Sequence, residues 1–149
     1  EGWLYTGDIG HLDKDGYLYI TGRCKNLIVL PGGKKVHPEE VEIAVSHSDA
    51  IEEICVVSCD STKGNKNGGE GVCAVVLPVK NLQKLYINNL KGLQEAIEKD
   101  IKKSTKLLAS YKRPQKVIVV FEELPKTASK KIKRSEIKNF ITVCPSKVK

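Results

Sequence analysis

Leu90, Leu93, Ile97, Ile101, Ser104 and Leu108 follow one another at spacings of 3, 4, 4, 3 and 4. That rhythm lays a single stripe along a 3.6-residue helix, and a strand cannot keep it on one face. The middle of the chain is thereby committed to a helix that must bury its stripe against another element. Lys102, Lys103 and Lys106 gather towards the C-terminal end of this helix, where the dipole favours cations. The partner surface is legible on both sides. Residues 54–58 and 72–77 are dense in Val and Cys and read as strands, joined by a flexible polar turn over 61–70. Residues 116–121 read as a third strand of the same sheet.

Residues 3–20 predict a hairpin. Trp3-Leu4-Tyr5 and Tyr17-Leu18-Tyr19-Ile20 are its β-prone arms, and Asp13-Lys14-Asp15-Gly16 supplies the turn. Leu27-Ile28-Val29-Leu30, broken by Pro31-Gly32-Gly33 and resumed at Lys35-Val36, predicts a second hairpin. Pro38-Glu39-Glu40 opens a helix, with Pro in the first turn and two acids at the positive end of the dipole. Val41, Ala44, Val45 and Ser48 share one side, and the helix should end near Ser48-Asp49. Residues 124–134 read as a polar, lysine-rich loop. Residues 135–141 read as a short closing helix capped by Ser135, and 142–149 as a frayed tail. The expected fold is α+β: a small mixed sheet with two main helices packed on it, preceded by a β-hairpin.

Charge is unevenly spread. Residues 1–98 carry a net −4 and residues 99–149 a net +11, within a total of +7. A basic third facing an acidic remainder implies that one surface meets an anion: nucleic acid, a membrane, a phosphate-bearing molecule or an acidic partner domain. Aromatics are only 5% of the chain, and Tyr111, Phe121 and Phe140 lie far apart in the basic third. Stacking platforms for nucleic acid are therefore poor, and no nucleic-acid partner is expected. The longest apolar run falls far short of the roughly 20 residues of a membrane span, and no basic-then-apolar leader opens the chain. The five cysteines, Cys24, Cys55, Cys59, Cys73 and Cys144, form no close pairs and three sit in valine-rich runs. They suit a reducing cytosol better than a disulfide framework or a zinc knuckle. The chain has no Met and opens on Glu1-Gly2-Trp3, which suggests a piece of something longer.

Several chemistries find no support. There is no GxxxxGK[ST] phosphate loop, no G-x-S-x-G elbow and no acid or histidine set with metal-ligand spacing. His11, His37 and His47 are scattered. Three polar clusters remain. Tyr5-Thr6-Gly7-Asp8 offers a carboxylate that can accept two hydrogen bonds from a vicinal diol such as a ribose. Thr21-Gly22-Arg23 offers a guanidinium with five fixed donors. Residues 125–134 hold five cations and no acid, a loop that self-repulsion should keep open until an anion arrives.

Taken in order, Gly2-Trp3-Leu4-Tyr5-Thr6-Gly7-Asp8, Gly16 to Arg23, Pro38-Glu39-Glu40-Val41-Glu42, Tyr111-Lys112-Arg113-Pro114 and Pro125-Lys126-Thr127 to Arg134 resemble the C-terminal end of the adenylate-forming enzymes. These include acyl-CoA synthetases, luciferases and the adenylation domains of peptide synthetases. The likeness runs from residue 1 to about 141, and residues 25–40 look most like bacterial long-chain fatty acyl-CoA synthetases. It implies that residues 1–24 end a large N-terminal adenylation domain, that residues 25–141 form a mobile lid, and that 142–149 are a tail. The partner is then that absent domain. The substrates of the whole enzyme are ATP with Mg2+, a carboxylic acid and coenzyme A, none held tightly by this piece, which should be inactive alone. The same resemblance also allows a carrier-protein thiol as acceptor.

By the same resemblance, Asp8 matches the aspartate that holds the ribose hydroxyls of ATP, and Arg23 joins it there. Lys25 falls at the hinge. Lys131 matches the lysine that reaches the reacting carboxylate and phosphate, and Lys130, at a position usually occupied by Gly, is a second candidate for that role. Pro31-Gly32-Gly33 matches the segment lining the pantetheine passage, with either Gly32 or Gly33 as the family glycine.

Overall fold

The computed structural model describes residues 2–60 and 70–143. Two long strands, each apolar on alternate faces, divide the interior into two cores. In β5 (Ile51–Asp60) and β6 (Glu70–Pro78), paired antiparallel, Val56, Val72, Ala74 and Val76 point to one face, and Cys55, Val57, Cys73, Val75 and Leu77 to the other. β7 (Lys116–Val119) adds to β6 in parallel, giving the order β5-β6-β7 and the mixed sheet expected. Both faces are apolar, so both must be covered.

The first face takes two helices. α1 (Pro38–Val45) brings Val41 and Val45, and α3 (Leu90–Ser104) brings Leu93, Ile97 and Ile101, all buried in one core with the sheet. Asn89 caps α3 by accepting from the Gly92 N–H at 2.9 Å. Of the stripe, Leu93, Ile97 and Ile101 are buried while Leu90 at the helix start is exposed; the helix ends at Ser104 and Leu108 packs from the following turn. A short hairpin of β3 (Ile28–Val29) and β4 (Lys35–Val36) closes the edge of this core through Ile28, Leu30 and Val36. The second face is covered by α4 (Arg134–Val143), whose Ile137 packs with Leu124 and Val120. The closing helix is therefore the third layer of the domain.

N-terminal to this domain stands a separate hairpin, β1 (Asp8–Leu12) with β2 (Leu18–Arg23). Its turn is fixed by Asp13, whose Oδ1 accepts the N–H groups of Asp15 and Tyr17, each at 2.9 Å. Those bonds, the Tyr17 one first, hold the Asp13 carboxyl below its ordinary pKa.

Four expectations need correction. Trp3-Leu4-Tyr5 is not a strand arm; Gly7 takes φ 75°, which ends the extended run, and pairing starts at Asp8. A further helix, α2 (Lys80–Leu85), was not foreseen; it is one turn and a half with only Leu82 against the core. Ser135 lies inside α4, not at its cap, and α4 runs through Thr142 to Val143, into the stretch expected to fray. The helix from Pro38 stops at Val45, short of Ser48. The predicted turn at 61–70 falls outside the described residues except for Glu70, as do Cys144 and the rest of the tail. Among the described residues no helix is long and apolar enough to cross a membrane.

Candidate functional site: the Asp8–Arg23 pair and the Lys131 hairpin

β1 and β2 place Asp8 directly opposite Arg23, and Arg23 Nε lies 3.1 Å from Asp8 Oδ1. The Asp8 N–H donates to Thr6 Oγ1 at 3.2 Å, and the Cys24 N–H donates to Gly7 O at 2.9 Å, so the carboxylate sits where the strand end is tied to the chain leaving β2. The Arg23 side chain is 67% exposed and that of Asp8 29%. An exposed pair of this kind is worth less than about 1 kcal/mol. Both groups can turn to a ligand at little cost.

Residues 124–134 are not the open loop that their charge predicts. Lys126 bridges Ile132, the Thr127 N–H donates to Lys131 O at 2.8 Å, and the Lys130 N–H donates to Thr127 O at 2.9 Å. Thr127 Oγ1 accepts the Lys131 N–H at 3.2 Å and bonds Ser129 Oγ at 2.9 Å. This is a tight hairpin whose last turn residue must be left-handed, and Lys130 takes φ 60°. That geometry explains why a glycine would suit position 130.

Self-repulsion is overcome because three of the five cations are paired. Lys126 binds Glu53 and Glu123, and its hydrogen bond to Glu53 raises its pKa. Lys133 binds Glu136 at 3.0 Å. Arg134 Nη1 meets Glu39 at 3.0 Å, Nη2 meets both oxygens of Glu42 at 2.6 and 2.7 Å, and Nε donates to Val56 O at 3.1 Å. Burial works against the Arg134 charge, but the Glu42 bond and charge outweigh it and its pKa is raised. Lys130 and Lys131 are exposed, and neither ammonium has a partner among the described residues. Ile132 packs into the second core. Its neighbour Lys131 therefore points away from that core.

Between the two features runs a one-turn 3-10 helix, Cys24–Asn26, in which Lys25 is exposed. A groove of about 550 Å³ opens beside it, lined among others by Arg23, Lys25, Ile132, Arg134 and Lys138. The structure thus gathers Arg23 and Lys25 around the foot of the Lys131 hairpin. Gly32 and Gly33 do not line this groove. They sit in the β3–β4 turn with φ 83° and 76°, each facing open space, so these two positions present no side chain to a passing ligand. Lys34, next in that turn, places its ammonium 5.0 Å from the centre of the Tyr111 ring.

The sequence reading missed the carboxylates that hold the site. Glu39, Glu40 and Glu42 were legible as dipole-friendly acids or as part of a family motif, with no ion-pair role given to them, yet Glu39 binds Arg134 and Asn26, and Glu40 binds Lys112 at 2.7 Å. Glu53 was not singled out at all. The one available signal was an excess of acids in residues 39–53 against an excess of bases in 126–138.

A small sheet with helices on both faces, preceded by a hairpin and carrying a second, lysine-bearing hairpin, matches known proteins. Residues 40–131 match the AMP-binding enzyme C-terminal domain. The 2-succinylbenzoate–CoA ligase of Listeria innocua is 37% identical over 138 residues, covering 93% of this chain and 26% of the ligase. Fatty acyl CoA synthetase of Mycobacterium tuberculosis superposes with a TM-score of 0.65 at 31% identity, over 93% of this chain and 24% of that one. O-succinylbenzoate coenzyme A synthetase of Bacillus subtilis, solved in complex with AMP, gives 0.69 at 30% identity over 92% and 24%. The chain belongs to the AMP-binding enzyme C-terminal domain family. It spans about a quarter of the length of these relatives.

Proposed function

We propose that this chain is the lid, with the strands leading into it, of an AMP-forming acid–coenzyme A ligase. The observation that carries the reading is the pair of ammonium groups, Lys130 and Lys131, that have no partner among the described residues, on a hairpin whose other cations are all neutralised. A site that brings an anionic carboxylate onto an anionic phosphate needs such a charge, delivered without being quenched by the protein itself.

In the first half-reaction a carboxylate oxygen attacks the α-phosphorus of ATP-Mg, the P–O bond to the β-phosphate breaks, and pyrophosphate leaves. Asp8 and Arg23 hold the ribose, and Lys131 bridges the negative oxygens as charge gathers around phosphorus. Rotation about Lys25 then carries the hairpin away, and the open Gly32-Gly33 turn lines the path of pantetheine. The thiolate of coenzyme A attacks the acyl carbon and AMP leaves with the acyl C–O bond broken. The boundary between the strands of the large domain, residues 1–24, and the lid, residues 25–141, falls between residues 24 and 25 on this reading. The acid we assign is a fatty acid, on the character of residues 25–40, and the free buried thiols Cys55 and Cys73 suit a cytosolic enzyme.

The test is an assay of the full-length enzyme with ATP-Mg, a panel of acids, and either free coenzyme A or a phosphopantetheinylated carrier protein. Acid-dependent release of pyrophosphate, followed by thioester formation on free coenzyme A, is expected, with fatty acids preferred. Thioester on the carrier alone would move the acceptor, and turnover of 2-succinylbenzoate alone would move the acid. No acid-dependent pyrophosphate release would overturn the reading.

A further inference from the structure

Glu39 stands where four elements meet. Its Oε1 accepts from Asn26 Nδ2 at 2.7 Å and from Arg134 Nη1 at 3.0 Å, so one oxygen serves two donors far apart in sequence. Its Oε2 lies against Gly22 of β2, where an added Cβ would come within 3.0 Å. Asn26 closes the turn that holds Lys25, and Arg134 follows Ile132, the last bridged residue of the Lys131 hairpin, by two positions. Glu39 itself is carried by α1, which is locked to the sheet through Val41 and Val45.

We propose that Glu39 is a positioning residue for Lys131: its Oε1 ties the hinge turn to the foot of the lysine hairpin, so the swing is confined to backbone before Asn26. This rests on the roles proposed for Lys131 and Lys25. The hairpin's tip is tied by its own bonds, and its aim relative to the domain is set by its feet. Glu53 holds the first foot through Lys126 and through the Leu124 N–H at 3.0 Å. The second foot is held by Arg134, and only there does the clamp reach the hinge. Both side chains of the Arg134–Glu39 pair are about three-quarters buried, and a charge-assisted bond there is stronger than a neutral one. If the hinge turn were free of α1, rotation would spread over residues 26–30 and the hairpin tip would reach the nucleotide at scattered places. Misplacement by about 1 Å can cost about 100-fold in rate.

The experiment is a double-mutant cycle on adenylation by the full-length enzyme, measured in single turnovers. Asn26→Ala removes the hinge side of the clamp and leaves the Glu39–Arg134 pair intact, so the protein should fold with an unchanged melting temperature. It is expected to slow adenylation about tenfold at saturating ATP with little change in KM, and to have no further effect in the Lys131→Ala background. Glu39→Gln should do the same more strongly. Equal slowing by Asn26→Ala in both backgrounds, or no slowing in either, would overturn the clamp. The underlying reading fails separately, by Lys131→Ala leaving adenylation intact.

Discussion

The β1–β2 hairpin and the three-layer domain behind it obey different rules. In the domain, Ile97, Val56 and Val76 are wholly buried and every long strand is covered on both faces. In the hairpin, Leu12, Tyr17, Leu18 and Ile20 are exposed, as are Trp3, Leu4 and Tyr5 before it. The hairpin is shaped by a turn and by backbone pairing; the domain is shaped by packing. Asp8 and Arg23 sit on the first region and Lys130 and Lys131 on the second, with a single 3-10 turn between the two regions. The hairpin meets the domain at Gly22, which lies against His37 and Glu39. On the reading proposed above, its exposed apolar side chains are the ones the large domain would cover, so the hairpin would stay with that domain while the packed lid swings.

Stability should break the comparison most sharply. Ile97→Ala removes a fully buried side chain and should cost about 2 to 5 kcal/mol in denaturant titration, whereas Leu18→Ala, on a residue 64% exposed, should stay within about 0.5 kcal/mol. Equal losses would mean that the hairpin is packed too. Next is the connection itself. Lys25→Pro fixes φ and disfavours the helical region for Cys24. In the full-length enzyme it should slow thiol transfer about tenfold, or about 1.4 kcal/mol, and adenylation less. Unchanged thiol transfer would remove the hinge from residue 25.

A smaller effect tests the other hairpin. Lys130→Gly relieves the left-handed backbone at φ 60° and should stabilise the chain by about 1 kcal/mol. If adenylation is retained in that variant, Lys131 alone supplies the charge; if it falls, Lys130 shares the role. The smallest effect is acid-dependent. The Asp13 carboxyl is held below its unfolded value, so its contribution to the β1–β2 turn is full above about pH 4. That contribution is lost as the pH falls through the lowered folded value. Hydrogen exchange at the Tyr17 amide should accelerate, relative to the intrinsic rate, over that window while Ile97 stays protected.

Periodicity made the domain legible. The α3 stripe, the valine-rich strands and Pro38 at a helix start each declare themselves within a few residues. Asp8 and Arg23 were legible as candidates through family resemblance, and the register of β1 on β2 pairs them. The hairpin at 125–132 was misread for a physical reason. Its cations are adjacent in sequence, and beside the local acids Glu123 and Glu136 the carboxylates that quiet them are Glu53, Glu39 and Glu42, on β5 and α1. Local charge argued for an open loop, and distant charge closed it. Gly7 misled in a similar way, because a β-prone Trp3-Leu4-Tyr5 says nothing about the backbone turn after it.

The central claim concerns one ammonium group, and the two half-reactions of the full-length enzyme separate it from everything else. Lys131→Ala should slow acyl-adenylate formation about 100-fold or more, some 3 kcal/mol, while thioester formation from a supplied adenylate stays near that of the unaltered enzyme. Equal loss in both half-reactions, or none in the first, would contradict the account.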